Sequence, residues 1–282
     1  MDCDLTPGVK ALMLIDRNFG PYFPEYDWYP MPAYLLRRRL VLSYLQNFDR
    51  GEILDIGCGM AALLHELSLK KFSCTGFDIS KETLGIAEIC QKDLKRKIKF
   101  FTSEQTDWTQ KFDHIFAFEV LEHIVDDDIT LNEWLKWLKP GGTIYISVPN
   151  HVKNWNALDE VAGHVRRYNL KDMHEVCEKV GLKVELITAY GFPLNNLCSL
   201  VRNILYRRKS HKKSAISEVK NPISIRDENN LRSARIANYP SLFRFMRTRI
   251  GLGIIKLFYF LQDRTQKYNL GNGIIVKAKK ID

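Results

Sequence analysis

ILDIGCGMAALLHELSLKKFSCTGFDIS, residues 53–80, decides the fold. A short apolar run, ILDIG (53–57), ends in glycine, and MAALLHELSLKK follows with helical spacing. FSCTGFDIS (72–80) is a second apolar run and ends in an acid. A strand, a glycine turn, a helix and a strand closed by an acid make a β-α-β unit, which requires parallel strands. In D-x-G-x-G-x-A, Gly57 and Gly59 let the backbone turn sharply and let a ligand come close. The helix that starts near Met60 to Leu63 points its unbonded N–H groups the same way. Asp78 stands about twenty residues further on, where an acid accepts both hydroxyls of a ribose.

The alternation continues outward. AYLLRRRLVLSYLQNF (33–48) reads as a helix before the first strand, with Leu36, Leu40, Tyr44 and Leu45 on one stripe. Downstream, IKFF (98–101), FDHIFAFEV (112–120), TIYISVPN (143–150) and LKVELITAY (182–190) read as strands. DITLNEWLKWLK and LKDMHEVCEKVG read as helices between them, the first stopping at Pro140-Gly141-Gly142. Trp134 and Trp137 fall at core spacing. GIIVKAKK (273–280) is a last, alternating strand. Residues 21–32 read as an irregular lead-in.

Residues 191–271 break this rhythm and are too long for an ordinary loop. They hold an amphipathic stretch, FPLNNLCSLVRNILYRRK, then a polar basic stretch (209–235), then SLFRFMRTRIGLGIIKLFYFLQDR. The chain divides accordingly into a cofactor-binding unit, 1–190, a basic insertion, 191–271, and the last strand, 272–282.

Charge sorts the same way. The chain carries a net charge of +9. Residues 201–282 hold 19 Lys and Arg against 5 Asp and Glu, while residues 1–200 hold 23 against 28. An anionic partner is therefore expected at the C-terminal third alone. Six scattered cysteines without a CxxC pair exclude a zinc ribbon and argue for a reducing, cytoplasmic setting. The N-terminal stretch lacks the basic and apolar regions of a leader. No window of about 18 apolar residues predicts a spanning helix.

The ordered set ILDIGCG, GFD, FDHIFAFEVLEH and LKPGGTIYISVPN resembles the class I S-adenosylmethionine-dependent methyltransferases, in particular the branch with the ubiquinone-biosynthesis O-methyltransferases. The resemblance covers about residues 36–190 and the last strand. It implies a seven-stranded Rossmann-like α/β sheet, mostly parallel with the last strand antiparallel, and a helical insertion before that strand. It implies S-adenosylmethionine as cofactor. Asp55, Gly57, Cys58 and Gly59 would hold its methionine part and Asp78 its ribose, with Ile79 against the adenine. Ser103 or Glu104 would lie near the adenine amine, and Phe118 and Glu119 would line the methionine end. Arg39 precedes the first strand at the distance where relatives place a carboxylate-binding arginine. The (N/D/S)PP(Y/F) box of amino-methylating DNA and rRNA enzymes is replaced here by FEVLEHI, which argues against a base-flipping enzyme.

For transfer to a hydroxyl, His123 at the mouth of the cleft is the best-placed base, with Glu122 and His164 as further catalytic candidates. Glu119, Glu122, His123 and His164 also make an E-x-x-E-H and His set that can hold a divalent cation. That set is similar to the metal-binding pattern of small-RNA 3′-terminal ribose methyltransferases and of some ubiquinone O-methyltransferases. His65, His114 and His174 read as packing or surface residues. The expected acceptor is a hydroxyl of a small or lipid-like molecule. An RNA 3′-terminal ribose, or cofactor binding without turnover, are the alternatives. The insertion reads either as a lid or, through Arg207, Arg208, Lys209, Lys212 and Lys213, as a contact with an anionic membrane at its inner face. It lacks an RNA-binding signature, so nucleic acid is not the expected partner.

Overall fold

The computed structural model describes residues 12–48, 50–92, 97–213 and 240–281; within the helix that ends at Lys213, side chains are described as far as Ile204. The extreme N-terminus, the polar stretch 214–239 and the side chains of Arg207, Arg208, Lys209, Lys212 and Lys213 lie outside these residues.

Two short strands, β1 (Leu14–Asp16) and β2 (Gly20–Tyr22), form a hairpin that the sequence reading does not contain, and it runs into the irregular lead-in expected at 21–32. Helix α1 (Pro32–Tyr44) follows, with proline at its first turn, where the missing N–H costs nothing. Then come β3 (Glu52–Ile56), α2 (Ala62–Leu69), β4 (Ser73–Phe77), α3 (Lys81–Cys90) and β5 (Lys99–Phe101). The second half holds β6 (Phe112–Phe118), α4 (Asp127–Trp137), β7 (Leu138–Pro149), α5 (Ala157–Ala162), α6 (Leu170–Lys179) and β8 (Leu182–Tyr190). Helices α7 (Leu194–Lys213), α8 (Pro240–Met246) and α9 (Arg249–Thr265) precede β9 (Gly273–Lys280).

The main sheet has seven strands in the order β5-β4-β3-β6-β7-β9-β8. The pairings among β3 to β7 are parallel, and β9 runs antiparallel between β7 and β8. Strand periodicity divides the core. Leu54 and Ile56, Ile115 and Ala117, and Ile274 and Val276 face one side, against Leu131, Trp134 and Met173. Ile53, Phe116 and Ile275 face the other, against Leu36, Leu40, Leu64 and Leu67. With helices on both faces, the strands are apolar on both, as parallel strands require. His65 and His114 are buried and His174 pairs with Glu178 on the surface. Burial pushes both buried imidazoles down to about 4, so they pack as neutral rings.

A third cluster ties the insertion to the hairpin. Phe243 and Met246 of α8 and Ile255 of α9 bury against Phe19, Tyr22 and Leu35, with Leu194 of α7 packed beside them. Arg247 donates to Asp16 at 3.0 Å and lies over the Tyr22 ring. No disulfide forms among the described residues.

Candidate active site

Strand order reverses between β3 and β6, so the connections leaving their carboxyl ends run to opposite faces of the sheet and open a crevice. The glycine turn stands on one side of it. Gly57 and Gly59 adopt φ of +68° and +53°, a region that favours residues without a Cβ. A Cβ at Gly57 would lie 2.5 Å from Val120, whereas one at Gly59 would meet nothing within 4 Å. The first glycine is therefore required by the protein's own packing. The second keeps a space open, which suits a ligand approaching the backbone. Cys58 packs toward Gly76, where a Cβ would lie 2.8 Å from its sulfur, so a small residue on β4 makes room for the turn.

Asp78 fastens this turn to β4. Its Oδ2 accepts from the Gly59 N–H at 2.9 Å and its Oδ1 from the Ser80 N–H at 2.9 Å. Carboxylate oxygens carry further lone pairs, so both keep acceptor capacity for a diol. Ile79 is 83% exposed beside it, an apolar side chain held out into the crevice edge. Ser103 and Glu104 are exposed just beyond β5, whose Phe101 carbonyl accepts from the Asp78 N–H at 3.2 Å. Asp55 lies under the turn, 5% exposed. Burial pushes its carboxyl up to about 8, with Asp78 adding to the shift and Arg37 opposing it.

At the end of β6, Glu119 adopts φ of +58°, which turns its side chain out of the sheet. Its Oε1 accepts from Ser147 Oγ at 2.8 Å, Tyr190 OH at 3.0 Å and Arg37 Nη1 at 3.1 Å. Arg37 also lies over the Phe118 ring at 5.2 Å. Arg39 is elsewhere: it makes a two-pronged pair with Asp263 at 2.7 and 2.8 Å on the insertion. The arginine at the cleft is thus Arg37, a correction to the sequence expectation. Consecutive arginines point a helical step of 100° apart, and sequence alone does not say which of Arg37, Arg38 and Arg39 faces inward. Arg38 is taken by Glu66 at 2.6 and 2.7 Å.

Next to this, Glu122, His123 and His164 come together, with one ligand atom from each within 4.8 Å of the others. Glu122 is fully buried, and among the described residues neither of its carboxylate oxygens has a hydrogen-bond partner. Its carboxyl is pushed well up, by burial first and by Glu119 second. The two rings meet edge to face at 4.9 Å. His123 Nδ1 donates to the Gly163 carbonyl at 3.1 Å, which leaves Nε2 as its acceptor. His164 Nδ1 donates to Asp159 Oδ1 at 2.8 Å, and its Nε2 faces Glu122 at 3.9 Å. Asp159, 1% exposed, also accepts from Arg167 Nε at 2.7 Å. Burial opposes ionisation of Asp159, but the His164 and Arg167 bonds prevail and hold its carboxyl below the usual range. Glu119 stands outside the three-residue group because its carboxylate is engaged by Arg37, Ser147 and Tyr190.

Sequence reasoning missed Arg37, Ser147, Asp159 and Tyr190. They lie on four separate elements and converge only through the sheet order. The one local signal was N-x-x-D at 156–159, a capping box that starts α5 and fixes Asp159.

A glycine turn, an acid after the second strand of the unit and a polar crevice at the switch point define a nucleoside-cofactor enzyme of the Rossmann-like class. Residues 28–187 match the family model described as a methyltransferase domain. The chain is 28% identical over 166 residues to a ubiquinone biosynthesis O-methyltransferase of Bartonella tribocorum, covering 55% of this chain and 67% of that one. It spans only 59% and 50% of relatives of the same name from Idiomarina loihiensis and Vibrio atlanticus. Among solved structures, phosphoethanolamine N-methyltransferase 2 of Haemonchus contortus, in complex with S-adenosyl-L-methionine, superposes with a TM-score of 0.52 at 17% identity. That match covers 87% of this chain and 52% of the other. The cyclase SpnF superposes with a TM-score of 0.51 at 16% identity, over 86% of this chain and 81% of its own. The same fold thus carries different reactions, and these structures speak for the architecture alone. The chain belongs to the methyltransferase-domain family and is an S-adenosylmethionine-dependent methyltransferase.

Proposed function

We propose that the enzyme methylates a hydroxyl of a small or lipid-like molecule, taken from solution or from an anionic membrane surface. The observation that carries this reading is the pair of imidazoles at the cleft mouth, each held by its Nδ1 so that Nε2 is the basic atom. The O-methyltransferase names of the curated relatives support the acceptor class.

When bound, S-adenosylmethionine supplies an electrophilic methyl on a sulfonium and the leaving thioether. The residues that fit it are Asp78 for the ribose diol, the open space at Gly59 for close backbone approach, and Arg37 and Glu119 for the charged methionine end. His123 accepts the hydroxyl proton as the oxygen attacks. Asp159 keeps the His164 ring in one tautomer, and His164 faces the buried Glu122. Fixed geometry of this kind lowers the entropic part of the barrier.

A second reading is favoured by the orphaned oxygens of Glu122. One carboxylate and two imidazoles within 4.8 Å suit Zn²⁺ or Mn²⁺ better than Mg²⁺. A cation there would lower the pKa of a bound hydroxyl, as an RNA 3′-terminal ribose methyltransferase of the E-x-x-E-H type would also need.

The test is turnover with isotopically labelled cofactor on lipid extracts and on soluble phenols, followed by mass spectrometry of the product. Methyl on oxygen supports the reading, and methyl on nitrogen or carbon overturns it. Activity that withstands EDTA and ignores added Zn²⁺ or Mn²⁺ removes the metal.

A further inference from the structure

The insertion has two apolar faces, and only one of them is used. On α9, Gly251, Ile255 and Gln262 face inward, where Ile255 joins the cluster with Phe19 and Phe243. Gln262 Oε1 accepts from the Gly191 N–H at 2.8 Å, and its Nε2 donates to the Leu36 carbonyl at 3.3 Å. This face is docked on the rest of the chain, fixed by packing and by buried hydrogen bonds. The opposite stripe is Ile250, Ile254 and Leu257, at i, i+4 and i+7, exposed by 72%, 40% and 54%. Phe260 adds to it. On α7, Leu197, Leu200, Val201 and Ile204 repeat the pattern at i, i+3, i+4 and i+7, each more than 40% exposed. Single exposed apolar residues are ordinary, but two helical stripes of them are not.

We propose that these two stripes are the docking surface for an anionic lipid bilayer. Charge decides between possible occupants. Residues 194–213 carry six Lys and Arg and no acid, and residues 240–270 carry six Lys and Arg and one acid, Asp263. Asp263 is already paired with Arg39. A second copy of this chain would bring an equally cationic surface, which repels. A bilayer with negative headgroups attracts it. The placement of the cations suits an interface: Arg249 and Lys256 each precede an exposed aliphatic residue of the stripe, and the Arg264 guanidinium lies over the Phe260 ring at 4.9 Å. Long basic side chains beside buried aliphatic ones reach back to the headgroups. No helix among the described residues is long and apolar enough to cross a membrane, so the contact is parallel to the surface. The proposal holds whichever acceptor the enzyme uses.

The experiment is co-sedimentation of the full chain with phosphatidylglycerol and with phosphatidylcholine vesicles, at 0.1 M and 1 M salt. Binding to the first alone is expected, and it weakens as the screening length falls from about 10 Å to about 3 Å. Ile254→Glu with Leu257→Glu should lower binding by about tenfold or more, the scale set by burying one aliphatic side chain. Titration with S-adenosylhomocysteine shows whether the variant is folded, and Leu200→Glu with Val201→Glu on the other helix serves as a second, independent variant. Three outcomes overturn the proposal: binding to neither vesicle, equal binding to both, or a dimer in solution that these substitutions dissociate while vesicles bind nothing.

Discussion

Arg37 and Glu119 lie 82 residues apart in the sequence and meet at 3.1 Å in the crevice between β3 and β6. Arg37 sits on α1, ahead of the sheet, and Glu119 follows β6. Tyr190 at the end of β8 donates to the same Glu119 oxygen. One carboxylate oxygen thereby gathers the helix before the sheet, the middle of the sheet and its far edge. Arg37→Ala should weaken S-adenosylmethionine binding by about tenfold to a hundredfold, the range for a charge-assisted hydrogen bond. Arg39→Ala should leave it within about twofold, since an exposed ion pair contributes little. Calorimetric titration of both variants separates the two arginines, and equal losses would reject Arg37 as the cleft residue.

Asp78→Ala removes the ribose acceptor and the anchor of the Gly59 N–H together. Cofactor affinity should fall by at least about 1.5–3 kcal/mol, the value of one hydrogen bond to a charged group. Unchanged affinity in a titration would move the cofactor away from the end of β4.

Asp159→Asn keeps the shape of the side chain but removes the charge that fixes His164. Turnover should drop by about tenfold to a hundredfold, the usual effect of a residue that orients a ligand or base. Affinity for S-adenosylhomocysteine should not change. Steady-state rates beside a cofactor titration check this, and a loss of both would mean that the Asp159–Arg167 pair is needed for folding instead.

Asp55 makes stability depend on pH. Its folded pKa of about 8 stands above the ordinary value near 3.9. Between those values the folded state keeps a proton that the unfolded state has lost, so this group's contribution to ligand-free stability is full below pH 4 and fades toward pH 8. Asp55→Asn should flatten the decline in melting temperature between pH 5 and 8. The cationic cofactor favours the ionised form, so its binding should release a proton near pH 7, measurable as a buffer-dependent heat. Proton uptake would contradict the assignment.

Glycines separate by position. Gly57→Ala forces a Cβ into Val120 at positive φ, and Gly76→Ala places one 2.7 Å from Phe100. Each should cost about 1–3 kcal/mol. Gly85 in α3 has open space around it, and Gly85→Ala should stabilise by about 0.4–1 kcal/mol. Chemical denaturation of the three variants checks the order.

The sheet was legible because its strands carry a local signal. Apolar runs bounded by glycine and an acid need no knowledge of the rest of the chain, and 182–190 and 273–280 coincide with β8 and β9. The hairpin of β1 and β2 was not legible. Three-residue strands are too short to show alternation, and Gly20-Pro21 reads as a breaker. The long β7 starts at Leu138, before the Pro140-Gly141-Gly142 stop. At the site, residues adjacent in sequence, such as Glu122 and His123, could be read together. Asp159 and Tyr190 could not, because their partners are supplied by tertiary packing.

Tyr190 pairs with Gly273 across the β8–β9 ladder, so the chain leaves the sheet for the insertion and re-enters it on the same rung, one strand over. Gly271 and Gly273 permit this crossing, since a Cβ on either would strike Tyr190 at 2.1 or 2.4 Å. Topologically, the whole of 191–271 is therefore a cassette hung from a single doorway. Exchanging it by design between relatives would leave the other strands in place only if the graft keeps the contacts of Phe243, Met246 and Ile255 with the β1–β2 hairpin and α1. Because the doorpost is Tyr190, whose hydroxyl also holds Glu119, a grafted cassette that displaces that ring would be felt at once where the cofactor binds.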